Sequence, residues 1–212
     1  MIRNFKVLGL AFVAAFAMSA VAASAASADF RSEAEHTIIT GTQGTTNTLT
    51  LAAGTTHCSI AEFEGTSTET TSSQITVTPH YTGCKITNFG FETVIATAEM
   101  NGCHFLFTTT GLVHLECNTG LGSAIQVTAP LCTITVHPQT ISHVGFDNLS
   151  VGTTREVKVT WTAPGITYTQ SNLCPGGGGT FHNGTYNGTV IFTGENTNSE
   201  HVGIWHEAGT WE

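Results

Sequence analysis

The segment from Cys103 to Cys132, CHFLFTTTGLVHLECNTGLGSAIQVTAPLC, constrains the fold more than any other part of the chain. Apolar and polar side chains alternate on both sides of a short loop, Thr109 to Gly111, as they do in the strands of a β-hairpin. Gly111 suits the left-handed position that closes a three-residue loop. A slip of one residue would move every apolar side chain to the wrong face, so the register is well specified. The predicted cross-strand pairs are Phe107 with Val113, Phe105 with Leu115, Cys103 with Cys117 and, on the other face, His104 with Glu116.

The second half of this segment predicts another hairpin. Alternation places Val127 opposite Cys132 and Ile125 opposite Ile134. The turn then contains Pro130 at its second position, which indicates a cis peptide bond or a wider loop.

The rest of the chain predicts further β-strands and no helix. Short runs rich in Thr, Val, Ile and Phe are separated by Gly, Asn and Pro, the pattern of strands joined by turns. The clearest run is Arg155 to Trp161, in which apolar residues occupy alternate positions. We therefore expect an all-β, antiparallel, sandwich-like architecture. It would form one large lobe or two closely packed lobes at about 29–98 and 99–212.

A first cluster of four strands is expected, and the runs Ile86–Phe89 and Thr93–Ala98 follow before the Cys103 hairpin. A polar, low-complexity stretch from Gly65 to Ser73 separates the last two strands of this cluster and is expected to be a loop. The four predicted strands are Thr37–Thr42, Thr48–Ala52, Thr55–Phe63 and Gln74–Tyr81.

Residues 1–28 have the features of a secretory signal peptide. A basic start is followed by the apolar run Val7–Ala23 and by the small residues Ala26–Ala28, which form an A-x-A cleavage site. A cut after Ala25 is the alternative. We expect the mature chain, 29–212, to be secreted, extracellular and not anchored in a membrane.

The charge of the chain disfavours acidic partners. The formal net charge is −9 at pH 7, and two of the six Lys and Arg residues, Arg3 and Lys6, belong to the predicted signal peptide. The remaining basic side chains are too few to neutralise many phosphates, so binding to nucleic acid or to an anionic membrane surface is not expected. These basic residues are Arg31, Lys85, Arg155 and Lys158.

Six cysteines behind a signal peptide indicate three disulfides formed in an oxidising compartment. Cys58 and Cys84 flank the polar loop. Cys103 and Cys117 face each other in the predicted hairpin, where the spacing of their Cα atoms is one that a disulfide tolerates. A second connectivity, in which Cys117 and Cys132 have other partners, remains open. The first connectivity is Cys58–Cys84, Cys103–Cys117 and Cys132–Cys174; the alternative is Cys103–Cys132 with Cys117–Cys174.

Ten histidines raise the question of a metal site. His201 and His206, beside Glu200 and Glu207, flank the last predicted strand, and His137 and His143 flank a loop. An odd spacing of five residues puts His201 and His206 on opposite faces of a continuous strand. Scattered surface histidines are therefore the favoured interpretation, and no metal or cofactor is predicted.

Candidate catalytic groups are equally sparse. His143, Asp147 and Ser150 lie in one segment, SHVGFDNLS, but a catalytic triad is a spatial arrangement that also needs an oxyanion hole. The alternative to a protein without enzymatic activity is a carbohydrate-active hydrolase with two carboxylates at one cleft. Its candidates are Glu62, Glu64, Glu92, Glu99 and Glu116.

Aromatic residues and histidines near the C-terminus are the candidate ligand contacts. Tyr168 and Tyr186 could serve as stacking platforms, and Trp205 is expected in the core because it follows Val202 and Ile204. The residues assigned to ligand contact are His201, His206 and Trp211.

Four stretches carry a family resemblance: VTPHYTGCKI, NGCHFLF, CTITVHPQT and NGTYNGTVIFTGEN with HVGIW. Together they resemble a group of secreted, Thr-rich actinobacterial β-proteins with six cysteines and no known activity. The resemblance implies secretion and the cysteine pattern, and it provides no catalytic residue. We expect a non-enzymatic structural or binding protein, with cell-wall polysaccharide or another extracellular ligand as partner. An extracellular carbohydrate-binding protein is the alternative.

Overall fold

The structure, a computed structural model, describes residues 29–90, 92–118, 123–141, 144–208 and 210–211, the last two by their backbone alone. The predicted signal peptide lies outside these residues. Every regular element among them is a β-strand. The strands are β1 (Phe30–Ser32), β2 (Thr37–Leu51), β3 (Gly54–Ser67), β4 (Thr71–Ser72), β5 (Gln74–Phe89), β6 (Glu92–Ile95), β7 (Thr97–Glu99), β8 (Cys103–Thr108), β9 (Val113–Cys117), β10 (Ile125–Ala129), β11 (Cys132–Val136), β12 (Gln139–Ile141), β13 (Val144–Val151), β14 (Thr154–Gln170), β15 (Gly179–Glu195), β16 (His201–Val202), β17 (Ile204–His206) and β18 (Thr210–Trp211).

Most strands belong to one large, curled sheet. Its order is β12-β9-β8-β5-β3-β2-β15-β14-β11-β10-β7, and β6 pairs with the last part of β5. Only Ala96 separates β6 from β7, and its amide donates to the Cys84 carbonyl at 3.0 Å. The sheet therefore curls back on itself at β5. A smaller sheet, β17-β1-β4, packs at one end. The all-β, antiparallel prediction is confirmed, and the curled sheet is broadly consistent with a sandwich.

The Cys103 hairpin has the predicted register. Phe107 pairs with Val113, Phe105 with Leu115, and Cys103 with Cys117. Gly111 has a φ of +80°, the left-handed conformation expected of it. Across the outer face, His104 Nε2 lies 3.6 Å from Glu116 Oε2.

Three disulfides join all six cysteines: Cys58–Cys84, Cys103–Cys117 and Cys132–Cys174. This is the first of the two connectivities considered from the sequence, and the alternative is not found. The first two bonds each join directly opposed residues of neighbouring strands. Three disulfides indicate that the chain folds in an oxidising environment.

The hairpin of β10 and β11 differs from its predicted register. Val127 pairs with Ile134, and Ala129 pairs with Cys132. The turn contains only Pro130 and Leu131, where Leu131 has a φ of +61°, and the described residues contain no cis peptide bond. The predicted register was wrong by two residues. A shift of two keeps every side chain on its own face, so the alternating pattern could not distinguish the two registers.

The first strands are longer than predicted. The predicted segments Thr37–Thr42 and Thr48–Ala52 fall in one strand, β2, which ends at Leu51 and has an irregularity between Thr42 and Thr48. Strand β3 continues to Ser67, inside the predicted loop, because its end pairs with Thr37. Backbone pairing with a distant strand, rather than local composition, decided these boundaries.

An aromatic cluster fills the middle of the curled sheet. The Trp161 ring centroid lies 5.1 Å from those of Phe105 and Phe107 and 6.2 Å from that of Phe63. Phe192 packs 5.9 Å from Phe63. Strands from before and after residue 98 thus share one core. The cluster also stands between two interior cavities, since Phe107 and Phe192 line one of them and Phe105 and Trp161 line the other.

Candidate functional site

The larger cavity, here called the central cavity, has a volume of about 70 Å³ and lies inside the curled sheet. Its wall is largely apolar, and a few polar side chains interrupt it. Eleven strands contribute to it, which is why no short sequence motif marks it. The lining residues are Asn47, Leu49, Thr56, Cys58, Tyr81, Ala98, Phe105, Leu115, Ile125, Val127, Val136, Ile141, Trp161, Ile166 and Tyr186.

An irregular part of β2 carries the Asn47 side chain. Regular pairing with β3 stops after Thr42 and resumes at Thr48, and the pairing with β15 shifts on both sides of Thr189. Such bulges reorient side chains and are common beside functional sites. Asn47 packs over Gly188, where a β-carbon would overlap its Oδ1 atom. The bulge and this glycine together hold the amide in the interior.

Several polar atoms at the central cavity have no hydrogen-bond partner among the described residues. Asn47 is only 5 % exposed, and both its Oδ1 and its Nδ2 lack a partner. The Thr56 hydroxyl and the Trp161 indole Nε1 are also buried without one. Each such group costs about 1–3 kcal/mol if it remains unsatisfied. The four atoms belong to residues that line one apolar cavity, and buried polar groups without a partner call for an explanation.

Two tyrosines reach across the cavity towards each other. The Tyr81 and Tyr186 hydroxyl oxygens lie 3.4 Å apart, although their strands are separated by β3 and β2. Burial raises the pKa of Tyr81 to about 12, an effect that the hydrogen bond with Tyr186 partly offsets. Burial, followed by the proximity of Tyr81, raises the pKa of Tyr186 well above its ordinary value. Both hydroxyls therefore stay protonated at ordinary pH.

The central cavity is electrically neutral. Among the described lining residues there is no Asp, Glu, Lys, Arg or His, and Cys58 is held in a disulfide. The described wall therefore has no general base near neutral pH beside the Thr56 and tyrosine hydroxyls.

The smaller, terminal cavity has a volume of about 30 Å³ and lies beneath β1 and β17. His206 packs beside it, with its ring centroid 4.6 Å from that of Phe146 and 5.1 Å from that of Phe30. Burial lowers the pKa of His206, while a hydrogen bond with the Thr109 backbone and the charges of Asp29 and Glu207 partly oppose this effect. The side chain is a neutral core residue of this end of the molecule.

The structure separates the predicted ligand contacts. His201 is exposed at the start of β16, whereas His206 is 4 % exposed in the core. The Trp211 side chain lies outside the described residues. Trp205 was expected in the core, but it is only partly buried, and the Arg155 guanidinium lies 4.8 Å from its ring centroid. The expectation was wrong because Trp205 faces away from Val202 and Ile204.

The other candidate sites are not assembled. In the part of the chain that the structure describes, no group of three His, Cys, Asp or Glu residues is placed to hold a metal ion. Asp147 forms an ion pair of 3.4 Å with Lys158, Ser150 is exposed, and His143 lies outside the described residues. The carboxylates proposed for a hydrolase are all exposed, and none lines either cavity: Glu62, Glu64, Glu92, Glu99 and Glu116.

Sequence reasoning missed most of the polar residues of the central cavity. Tyr186 was singled out as an aromatic platform, but Asn47, Thr56, Tyr81 and Trp161 were assigned no binding role. The one available signal was an asparagine inside the strand-like run TTNTLTL, where asparagine is disfavoured. Its inward orientation depends on the bulge, which local sequence does not reveal.

Comparisons with known proteins add no relative. No protein family matches the chain, and neither the curated proteins nor the solved structures contain a significant match. The resemblance to secreted actinobacterial proteins therefore stays a prediction. Within the described residues, no helix has the length and apolar character needed to cross a membrane.

Proposed function

We propose that this protein is a secreted, extracellular binding protein without enzymatic activity, and that the central cavity is its binding site. The observation that carries the proposal is the central cavity itself, an apolar interior space of about 70 Å³ with Asn47, Thr56 and the two tyrosines among its lining residues. Small-molecule sites have this composition, an apolar wall with a few polar groups that fix orientation.

The location of the site also favours binding over a purely structural role. A protein that needed only a rigid scaffold would gain stability from a filled, apolar interior. Here a bulge in β2 places an amide where it lowers stability unless something binds to it.

Secretion is supported by two independent features. The N-terminal segment has the charge and apolar pattern of a signal peptide, and all six cysteines form disulfides. The ligand is therefore expected among extracellular solutes.

A fragment screen by ligand-observed NMR tests the proposal, with a variant in which the cavity is filled. Ala98 lines the central cavity, so Ala98→Leu is expected to occupy much of its volume and to abolish binding. The matched control is Ala52→Leu at an exposed position, which should bind as the natural protein does.

Equal binding by the natural protein and the Ala98→Leu variant would place the site elsewhere and contradict the proposal. Binding of cell-wall oligosaccharides to both proteins would have the same meaning, because a surface site for carbohydrate would then be the functional one. Failure of every fragment to bind the natural protein would also count against it.

A further inference from the structure

The surface that the central cavity offers to a guest is almost entirely carbon. The unpartnered polar atoms of Asn47, Thr56 and Trp161 are buried within the wall and have almost no accessible surface. A guest therefore meets mainly aliphatic side chains, such as those of Leu115 and Val127, and aromatic rings. Contacts of this kind favour apolar molecules of matching size, because they rest on dispersion and on removal of apolar surface from water.

The two tyrosine hydroxyls at the cavity satisfy each other. They lie 3.4 Å apart, and burial raises the pKa of both, so they stay protonated and uncharged. The described lining residues also include no charged side chain. A charged or strongly polar guest would lose its hydration without gaining an equivalent partner, which is costly in an apolar interior.

One part of the wall reaches the surface of the molecule. Leu49, Tyr81, Ala98 and Tyr186 are only partly buried, whereas the other lining residues are buried. Leu49 and Tyr186 are cross-strand partners in β2 and β15, and the Tyr186 hydroxyl meets that of Tyr81. Three of these four side chains therefore lie together, between the solvent and the cavity.

The volume of the cavity sets the size of the guest. A cavity of roughly 150 Å³ accommodates benzene, which corresponds to about 25 Å³ for each of its carbon atoms. The central cavity, with a volume of about 70 Å³, has room for about three carbon atoms. Apolar cavities of this kind stay dry, so a guest supplies contacts that the wall otherwise lacks.

We infer that the central cavity binds a small, uncharged, apolar molecule of about three carbon atoms. The guest enters beside Leu49, Tyr81 and Tyr186 and packs against the aliphatic and aromatic wall. This inference rests on the proposed function and specifies the ligand class of the same site.

Three compounds of equal size separate apolar from polar and charged guests. Propane has three carbon atoms, ethanol replaces one of them by a hydroxyl, and ethylammonium replaces it by a charged group. Each is titrated into protein with ¹³C-labelled methyl groups, propane as a pressurised gas. The methyl resonances of Leu115, Ile125 and Val127 report on the cavity, and those of the exposed Leu131 and Leu173 report on adsorption to the surface.

Propane is expected to shift the resonances of the lining methyl groups saturably. Its dissociation constant should be no tighter than about 0.5 mM, the limit for a ligand of three non-hydrogen atoms. Ethanol should bind at least about tenfold more weakly, because its hydroxyl loses hydration and finds no accessible partner in the wall. Ethylammonium should cause no saturable shift, and the resonances of Leu131 and Leu173 should stay unchanged throughout.

Two variants test the location and the size of the site. Ala98→Leu should lose propane, whereas the control Ala52→Leu should keep it. Ile125→Ala removes three carbon atoms from the wall and enlarges the cavity by about 75 Å³, so it should bind benzene, which the natural protein excludes. The ligand series on the natural protein tests the inference even where a variant fails to fold.

The possible outcomes separate the ligand class from the function. Ethanol binding as tightly as propane, or saturable binding of ethylammonium, overturns the apolar inference but leaves a binding cavity. The same holds if propane fails to bind while a polar fragment shifts the lining methyl resonances. Equal shifts at Leu131 and Leu173 would indicate adsorption to the surface and would also overturn the inference. If no compound shifts the lining resonances, both proposals fail.

Discussion

At the scale of single residues, Asn47 and His206 show how a buried polar group can serve different purposes. Asn47 is held at a cavity with both amide atoms unpartnered. His206 is held by its backbone, since its N–H donates to Asn148 Oδ1 and its carbonyl accepts from Asn148 Nδ2, each at 2.8 Å. The first side chain lines the central cavity, whereas the second packs at the end of the core beside Phe30 and Phe146.

Replacing Asn47 by leucine should stabilise the unliganded protein. The substitution removes two buried polar atoms without partners, so we expect the free energy of unfolding to rise by about 1–3 kcal/mol. Urea denaturation measures this change. Asn198→Leu, at an exposed turn position, is the control and should stay within about 0.5 kcal/mol of the natural protein. A loss of stability in Asn47→Leu would mean that the amide is already satisfied.

His206 should make the stability of the protein depend on pH. Burial lowers its pKa below the ordinary value of 6.5, so the unfolded chain binds the proton more readily than the native one. The stabilising effect is complete above pH 6.5 and is lost as the pH falls from 6.5 towards the lowered pKa. The charges facing the ring, on Asp29 and Glu207, reduce this loss but do not reverse it.

The variant His206→Phe keeps an aromatic ring against Phe30 and Phe146 and removes the titrating group. Its free energy of unfolding, measured between about pH 8 and pH 5, should fall less on acidification than that of the natural protein. If the free energy of unfolding falls equally with pH in the two proteins, the pH dependence does not come from His206.

At the scale of elements, the bulge of β2 and its neighbour β15 form one unit. The bulge brings Asn47 inwards, and Gly188 of β15 leaves the space that this side chain occupies. Neither strand could be made regular without moving the other. The irregular pairing therefore shapes the wall of the central cavity.

Gly188→Ala should disturb this unit. The added β-carbon would overlap Asn47 Oδ1, and we expect a loss of about 1–3 kcal/mol in the free energy of unfolding, together with loss of ligand binding. Gly145→Ala, in β13, is the matched control, because a β-carbon there meets nothing within 4 Å. Thermal or urea unfolding compares the two. Equal stability of both variants would show that Asn47 moves aside freely.

At the scale of the whole molecule, the three disulfides span increasing lengths of chain. Their sequence separations are 14 residues for Cys103–Cys117, 26 for Cys58–Cys84 and 42 for Cys132–Cys174. The last of these ties the glycine-rich segment before β15 to the hairpin of β10 and β11. A longer closed loop restricts the unfolded chain more.

Removing a disulfide by a pair of Cys→Ala substitutions should therefore cost least stability for Cys103–Cys117, more for Cys58–Cys84 and most for Cys132–Cys174. Chain entropy predicts losses of about 3, 3.5 and 4 kcal/mol for the three bonds. Chemical denaturation of the three variants measures the order, with the intact protein as reference. The largest loss for Cys103–Cys117 would show that its buried position in the hairpin, rather than loop length, dominates.

Periodicity within short segments was enough to predict the all-β class and the register of the Cys103 hairpin. There, apolar alternation, Gly111 and the opposed Cys103 and Cys117 all agree within fifteen consecutive residues. The register of β10 and β11 could not be predicted in the same way, since a shift of two residues leaves the pattern of Val127 and Ile134 unchanged.

The sequence by itself determined the all-β class, the apolar face of the Cys103 hairpin and that the cysteines stabilise the fold, because these properties depend on neighbours along the chain. Tertiary structure alone decided that β2 pairs with β15 and that the sheet curls back on β5. The pairing of β2 with β15 joins residues more than a hundred positions apart, such as Thr50 and Thr185, and alternation carries no information about partners. The same long-range pairing creates the bulge that places Asn47 in the wall of the central cavity. The candidate site is therefore visible only in three dimensions.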